Sequence, residues 1–142
     1  MGDRVIVVTG AAQGIGRALA EGLAADGARI VVADVKGAEE AAAALGADHL
    51  GVTVDVSDPD SCAAMAAAAL DRYGRIDGLV NNAGIYASLV PAPMEDLDID
   101  EWKRVMDVNV LGVHLATRAC LPALRDAPDA RVVNIASGTP FK

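Results

Sequence analysis

Short runs of β-branched residues alternate along this chain with longer, alanine-rich stretches in which apolar positions recur every three or four residues. The runs predict strands at 4–8 (RVIVV), 29–33 (RIVVA), 50–54 (LGVTV), 76–81 (IDGLVN) and 131–136 (RVVNIA). The stretches between them predict helices. The first covers Gly14 to Asp26, with Ile15, Leu19 and Leu23 on one stripe and Gly27 placed to end it. A short second helix spans 38–45. The third opens at SDPD, where Ser57 or Asp58 caps it and Pro59 suits its first position, and runs to Tyr73. The fourth starts near Asp98, whose spacing to Glu101 resembles a capping box, and continues towards Leu124. It is apolar on most sides, so one face is expected on the sheet and the other on a partner.

Strands that are apolar throughout, each separated from the next by a helix, imply a parallel sheet covered on both faces. The expected class is α/β, a doubly wound sheet. Right-handed crossovers place strands 2 and 3 on one side of strand 1, and the chain then returns to the other side for strands 4 and 5, giving the order 3-2-1-4-5. A ligand crevice is expected between strands 1 and 4, at their carboxyl ends.

The turn after the first strand, TGAAQGIG, places Gly10, Gly14 and Gly16 between a buried strand and a helix. A backbone that turns this tightly and presents its N–H groups to a pyrophosphate has little room for Cβ atoms, and the helix N-terminus adds about half a positive charge. Asp34 ends the second strand about 20 residues further on, where a carboxylate can accept hydrogen bonds from the two hydroxyls of an adenosine ribose. A 2′-phosphate there would meet a like charge, which favours NAD over NADP; Lys36 softens that preference. Asp55, at the end of the third strand, belongs beside the adenine or simply starts the next turn. Asn81 to Gly84 (NNAG) end the fourth strand and face the same crevice. Ala83 and Gly84 leave space for a ribose, and the asparagine amides can tie neighbouring strand ends together.

Composition narrows the partners. A formal net charge of −8 with no basic cluster argues against nucleic acid. Although 53% of the residues are hydrophobic, they fall in short runs, well below the ~20 in succession that a membrane helix needs. A water-soluble chain is expected. Its first strand starts too early for a signal peptide, and Cys62 and Cys120 lie far apart inside helical patterns, so a cytoplasmic location with buried thiols is expected. No metal site is expected: His49 and His114 lack neighbours in ligand spacing and read as structural.

Taken together, these residues resemble the short-chain dehydrogenases/reductases along the whole chain. The family's T-G-x-x-x-G-x-G turn is Thr9 to Gly16, its strand-2 acid Asp34, its adenine-side acid Asp55, and its N-N-A-G Asn81 to Gly84. Asn109 stands in DVNVLG and Ser137 ends NIAS. The resemblance implies a Rossmann-type domain over 1–142 and a reversible hydride transfer between a nicotinamide cofactor and a small alcohol or ketone. It implies cofactor contacts at Gly10, Gln13, Gly14, Ile15, Gly16, Asp34, Asp55, Val56, Asn82, Ala83 and Gly84. Ser137 takes the role that polarises the substrate oxygen, and Asn109 the role that anchors a water on the proton path. Pairing of subunits through the fourth helix, as a homodimer or homotetramer, is also implied. From the residues alone, Asn109 is equally a helix kink or a satisfied amide on the row of Trp102, Val105, Met106, Val113 and Ala116.

The family's Y-x-x-x-K is absent: Tyr73 is followed four positions later by Asp77, and Tyr86 by Val90. In the family that motif opens the helix beyond the fifth strand. The chain is therefore expected to be the N-terminal portion of such an enzyme, truncated before the sixth and seventh strands, with strand 5 as an apolar open edge and no turnover of its own. The alternative is a non-catalytic dinucleotide-binding module. A methyltransferase on a similar sheet would share the glycine turn and the strand-2 acid but would not account for NNAG or NIAS. Segment 85–96 is expected to be a loop bordering the substrate.

Overall fold

In the computed structural model, which describes residues 2–86 and 93–137, the fold is built outward from β1 (Val5–Thr9), whose five side chains are all buried. β2 (Arg29–Asp34) pairs with β1 in parallel, Val7 beside Val31, and β3 (Leu50–Thr53) pairs with β2, Ala33 beside Val52. On the other side lie β4 (Gly78–Asn81) and then β5 (Arg131–Asn134), with Val7 beside Leu79 and Val80 beside Val133. The order β3-β2-β1-β4-β5 is the expected one. Each strand matches its predicted run to within two residues at either end.

Alternating side chains divide the interior into two layers. Val5, Val7, Val31, Ala33 and Leu79 meet α3 (Pro59–Tyr73) and α5 (Gly112–Asp126); Ile6, Val8, Ile30, Val32 and Val80 meet α1 (Gly14–Ala25) and α2 (Ala38–Leu45). Alanine and glycine bring the helices close. A Cβ on Gly51 would overlap the carbonyl oxygen of Ala38, so α2 lies directly on β3. Asp58 caps α3 by accepting from Asp60 N at 2.9 Å, with Pro59 in its first position. Asp98 caps α4 (Ile99–Met106) by accepting from Asp100 N and Glu101 N.

Two features add to the sequence reading. The stripe on α1 does not bury Ile15, which is 66% exposed; Leu19 and Leu23 are half-buried, and the fully buried positions are Gly16 and Ala20. Small residues, not the bulky stripe, are what let α1 approach the sheet. The long fourth helix runs from Ile99 to Asp126, as expected, but not as one uniform α-helix. A π-helical turn, Asp107–Leu111, separates α4 from α5. It stands between two tertiary anchors: Asn109, bonded to Ile85, and Gly112, where a Cβ would come within 2.7 Å of Val56 Cγ2. One extra residue in the turn rotates both onto their partners. Trp102, Met106, Val110 and Leu111 around this turn are exposed, leaving the expected apolar outer face. On β5, Val132 and Val133 are exposed as well.

At the amino ends of the strands, His49 Nδ1 accepts from Ile30 N at 3.0 Å, and burial lowers the imidazole's pKa against a partial opposing effect from Asp48. Its structural reading is thereby given a partner. Tyr73 lies at this same end, its hydroxyl donating to Asp48 O at 2.8 Å. Both cysteines are buried between α3 and α5. Burial, reinforced by Asp58 and Asp55, pushes the Cys62 thiol up to about 11, and burial pushes Cys120 up to about 12. Reaction of the native protein with a disulfide reagent at pH 8 is expected to be at least about 100-fold slower than in urea, because thiolate is the attacking species and both groups are shielded. Rapid native titration of two thiols would contradict this packing.

Among the described residues no helix is long and apolar enough to cross a membrane. Residues 87–92 of the expected substrate-bordering loop lie outside the described residues, as do 138–142.

Candidate active site

The crevice is closed at its base by one hydroxyl. Thr9 Oγ1, at the tip of β1, accepts from Asn82 N and Ala83 N, both at 3.1 Å, and donates to Val80 O. Asn82 reciprocates: its Nδ2 donates to Thr9 O and Gly10 O, each at 3.0 Å. The amide therefore does tie two strand ends together. The three glycines serve three different ends. Gly10 has φ +65°, and a Cβ there would lie 2.8 Å from Ala83 Cα. Gly16 carries the closest packing, since its Cβ would overlap both Gly10 O and Asn82 Nδ2. Gly14 has φ +58° and nothing within 4 Å of the Cβ position, so that side is open.

Gln13 precedes α1 in an extended conformation and makes no side-chain cap, and the first turn of the helix holds no acidic residue. The N–H groups of Gly14, Ile15 and Gly16 are thus left for an external acceptor, and the helix end favours an anion.

Asp34 sits at the end of β2, half-buried. Its Oδ2 accepts from Ala12 N at 3.0 Å and its Oδ1 faces Lys36 N at 3.5 Å, which fixes the carboxylate on the rim of the glycine turn. Asp55 starts the next turn: its Oδ1 accepts from Ser57 N at 2.9 Å and Ser57 Oγ at 2.6 Å. The turn role of Asp55 is thereby visible, and its side chain remains exposed. Val56 buries its side chain against Gly112, so only its backbone lies toward the rim.

Asn109 clamps the peptide that follows NNAG, accepting from Ile85 N at 2.8 Å and donating to Ile85 O at 3.1 Å. Of the readings open in the sequence, the amide is satisfied, within a π turn, but on an exposed surface and not in the core. A Cβ on Gly84 would lie 3.4 Å from Asn109 Oδ1, which draws the π turn against the end of β4. Ser137 lies three residues past β5, exposed, at the same end of the sheet as the glycine turn.

A second polar cluster lies behind the crevice and was not legible as a site. Asn81 is 3% exposed; its Nδ2 donates to Thr117 Oγ1 on α5 at 3.0 Å and to Asn134 Oδ1 on β5 at 2.8 Å. Its Oδ1 is buried without a partner among the described residues, a condition that costs about 1–3 kcal/mol. The Asn81–Asn134 pair could have been found from strand register, because the two residues face one another across β4 and β5. Nothing in the sequence marked Thr117.

The short chain dehydrogenase family model matches residues 4–142. The chain belongs to that family. Among curated relatives, cis-4-hydroxycyclohexanecarboxylate dehydrogenase of Sinomonas cyclohexanicum is 42% identical over 95% of this chain and 55% of its own length. D-threitol dehydrogenase of Mycolicibacterium smegmatis is 42% identical over 94% and 52%. The crystal structure of 3-ketoacyl-(acyl-carrier-protein) reductase from Brucella melitensis complexed with NADH superposes with a TM-score of 0.91 at 35% identity, over 99% of this chain and 60% of that one. This chain spans about half the length of the curated relatives it matches. As a member of this family, it carries a parallel sheet in the order β3-β2-β1-β4-β5.

Proposed function

We propose that this chain supplies the cofactor-binding half and the serine arm of an NAD-dependent dehydrogenase acting on a small alcohol or ketone. The observation that carries the reading is the Asp34 carboxylate, fixed by Ala12 N beside the open face of Gly14. The residues suit a dinucleotide. Gly14, Ile15 and Gly16 offer N–H groups to the pyrophosphate, Asp34 accepts from the adenosine ribose, and Asn82, Ala83 and Gly84 form the opposite wall with Gly10. When bound, the nicotinamide supplies the hydride chemistry. Gln13, Asp55 and Val56 line the outer rim in this reading.

Ser137 holds the substrate oxygen by hydrogen bonding, and Asn109 keeps the π turn against the Ile85 peptide so that its backbone is available to the proton path. The acid that exchanges the proton is the family's tyrosine, with its pKa lowered by a lysine; a Y-x-x-x-K in the reading frame after Lys142 is the expected source of both. The exposed apolar face around the π turn suits pairing of subunits, and a cytoplasmic setting suits two buried free thiols.

Fluorescence titration tests the cofactor choice. NADH is expected to bind at least about tenfold tighter than NADPH, because a 2′-phosphate meets Asp34 as a like charge. Asp34→Ala is expected to weaken NADH about tenfold and to erase the preference. Equal or tighter binding of NADPH by the unaltered protein would overturn the assignment.

A further inference from the structure

We infer that Thr117 is a positioning residue for Ser137, acting through the Asn81 amide and Asn134; the inference rests on the dehydrogenase reading above only where turnover is concerned. Asn81 joins three elements around the proposed reaction centre. It belongs to β4, which leads directly into Asn82 to Gly84, and its two amide protons go to Thr117 on α5 and Asn134 on β5. Thr117 stands two helical turns beyond Asn109, and Asn134 stands three residues before Ser137. The backbone repeats the link, since Ile135 N donates to Asn81 O at 2.9 Å and carries the pairing one residue past β5. An amide with both protons claimed has a fixed plane, and that plane sets where the end of β5 leaves the sheet.

The arrangement is a poor device for stability alone. Asn81 Oδ1 stays buried without a partner among the described residues, a cost that an apolar side chain on the same β4 face would avoid. What the amide does supply is direction: one proton toward the helix that carries Asn109, one toward the strand that delivers Ser137.

Thr117→Val keeps the shape of the side chain and removes the acceptor. In the protein carrying this substitution, amide hydrogen exchange at Ile135 and the residues leading to Ser137 is expected to quicken about tenfold while β1 amides keep their wild-type rates. NADH affinity is expected to stay within about twofold and, in a chain that continues through a Y-x-x-x-K segment, kcat to fall about tenfold with little change in the KM for NAD. Thr117→Ser, which restores the hydroxyl, is expected to return both the exchange rate and kcat to wild-type values. If Thr117→Val does not fold, Asn134→Ala puts the same question from the β5 side. Unchanged exchange at Ile135 in the Val and Ala variants would overturn the inference, as would a lowered melting temperature with kcat intact. Absence of turnover in a wild-type chain that continues through a Y-x-x-x-K segment would refute the dehydrogenase reading instead, and the exchange rates would still decide whether Thr117 holds the end of β5.

Discussion

Replacing Gly16 with valine is expected to abolish measurable NADH binding, a loss of at least about 100-fold, and to destabilise the protein by about 2–4 kcal/mol in urea unfolding. Even the first carbon of a side chain at this position overlaps Gly10 O and Asn82 Nδ2. Both are fixed, the first as backbone and the second by two hydrogen bonds to the tip of β1. The helix must therefore retreat, which opens the α1 layer and removes the N–H groups of its first turn from the crevice. Overpacking of this kind costs about 1–3 kcal/mol, and breaking the Asn82 bonds adds to it. Gly14→Ala is the discriminating control. Nothing lies within 4 Å of its Cβ position, so only the left-handed backbone, at about 1–2 kcal/mol, opposes the change. Its effect is expected mainly on binding, because Gly14 belongs to the turn proposed to meet the pyrophosphate. If Gly16→Val binds NADH normally, the close contact of α1 with the strand tips is wrong.

Asp77→Ala is expected to cost about 2–4 kcal/mol at pH 7 without altering NADH affinity in the folded fraction. The carboxylate is 3% exposed at the amino end of β4. It accepts from Val5 N at 2.8 Å and from Arg75 Nε at 2.8 Å, with Arg75 Nη2 on its other oxygen. Truncation leaves the Val5 N–H, in the central strand, without an acceptor, and a buried donor left this way costs about 1–3 kcal/mol before any cavity is counted. Arg75→Ala is expected to do much less harm, since that side chain is 47% exposed and water replaces it. Burial raises the Asp77 pKa, but hydrogen bonds from Arg75 and Val5 outweigh it and hold the group below its ordinary 3.8. A depressed acid stabilises the fold fully above its unfolded value and loses that contribution as pH falls through the folded one. The deficit of Asp77→Ala is therefore expected to be complete near neutrality and to shrink below about pH 4. An undiminished difference at pH 2.5 would show that lost packing, not charge, is responsible.

Strand positions and order were legible because they depend on local pattern and chain handedness, both of which survive in a single sequence. The five runs of β-branched residues had only one right-handed arrangement with a return across β1, and the sheet has that order. What stayed hidden depends on contacts between distant segments. Periodicity placed Ile15 on one stripe with Leu19 and Leu23, but α1 rests on Gly16 and Ala20, and a stripe cannot report which of its neighbours is small enough to touch the sheet. It also ran the fourth helix straight through Asp107–Leu111, because a π turn keeps helical spacing on either side and is imposed by Ile85 and Val56, remote in sequence. Glycine spacing marked the turn correctly. The separate duties of Gly10, Gly14 and Gly16 required knowing that Asn82 and Ala83 come to meet them. Asp77 and Thr117 carried no signal, since one acid near the start of a strand run and one threonine in a helix are ordinary until their partners are known.

The closure of the crevice by Thr9 and Asn82 also says something about how such a chain is made. The bonds from Asn82 to Thr9 O and Gly10 O span 73 and 72 residues. At synthesis rates of about 5–20 residues per second, the glycine turn leaves the ribosome some 4–14 seconds before its opposite wall exists. During that interval β1, α1 and β2 can associate locally, but Gly16 has no Asn82 to rest against and the cleft has one side. On the proposed reading, dinucleotide can therefore assist folding only after residues near 84 have emerged, and the segment before them has to hold itself together unaided.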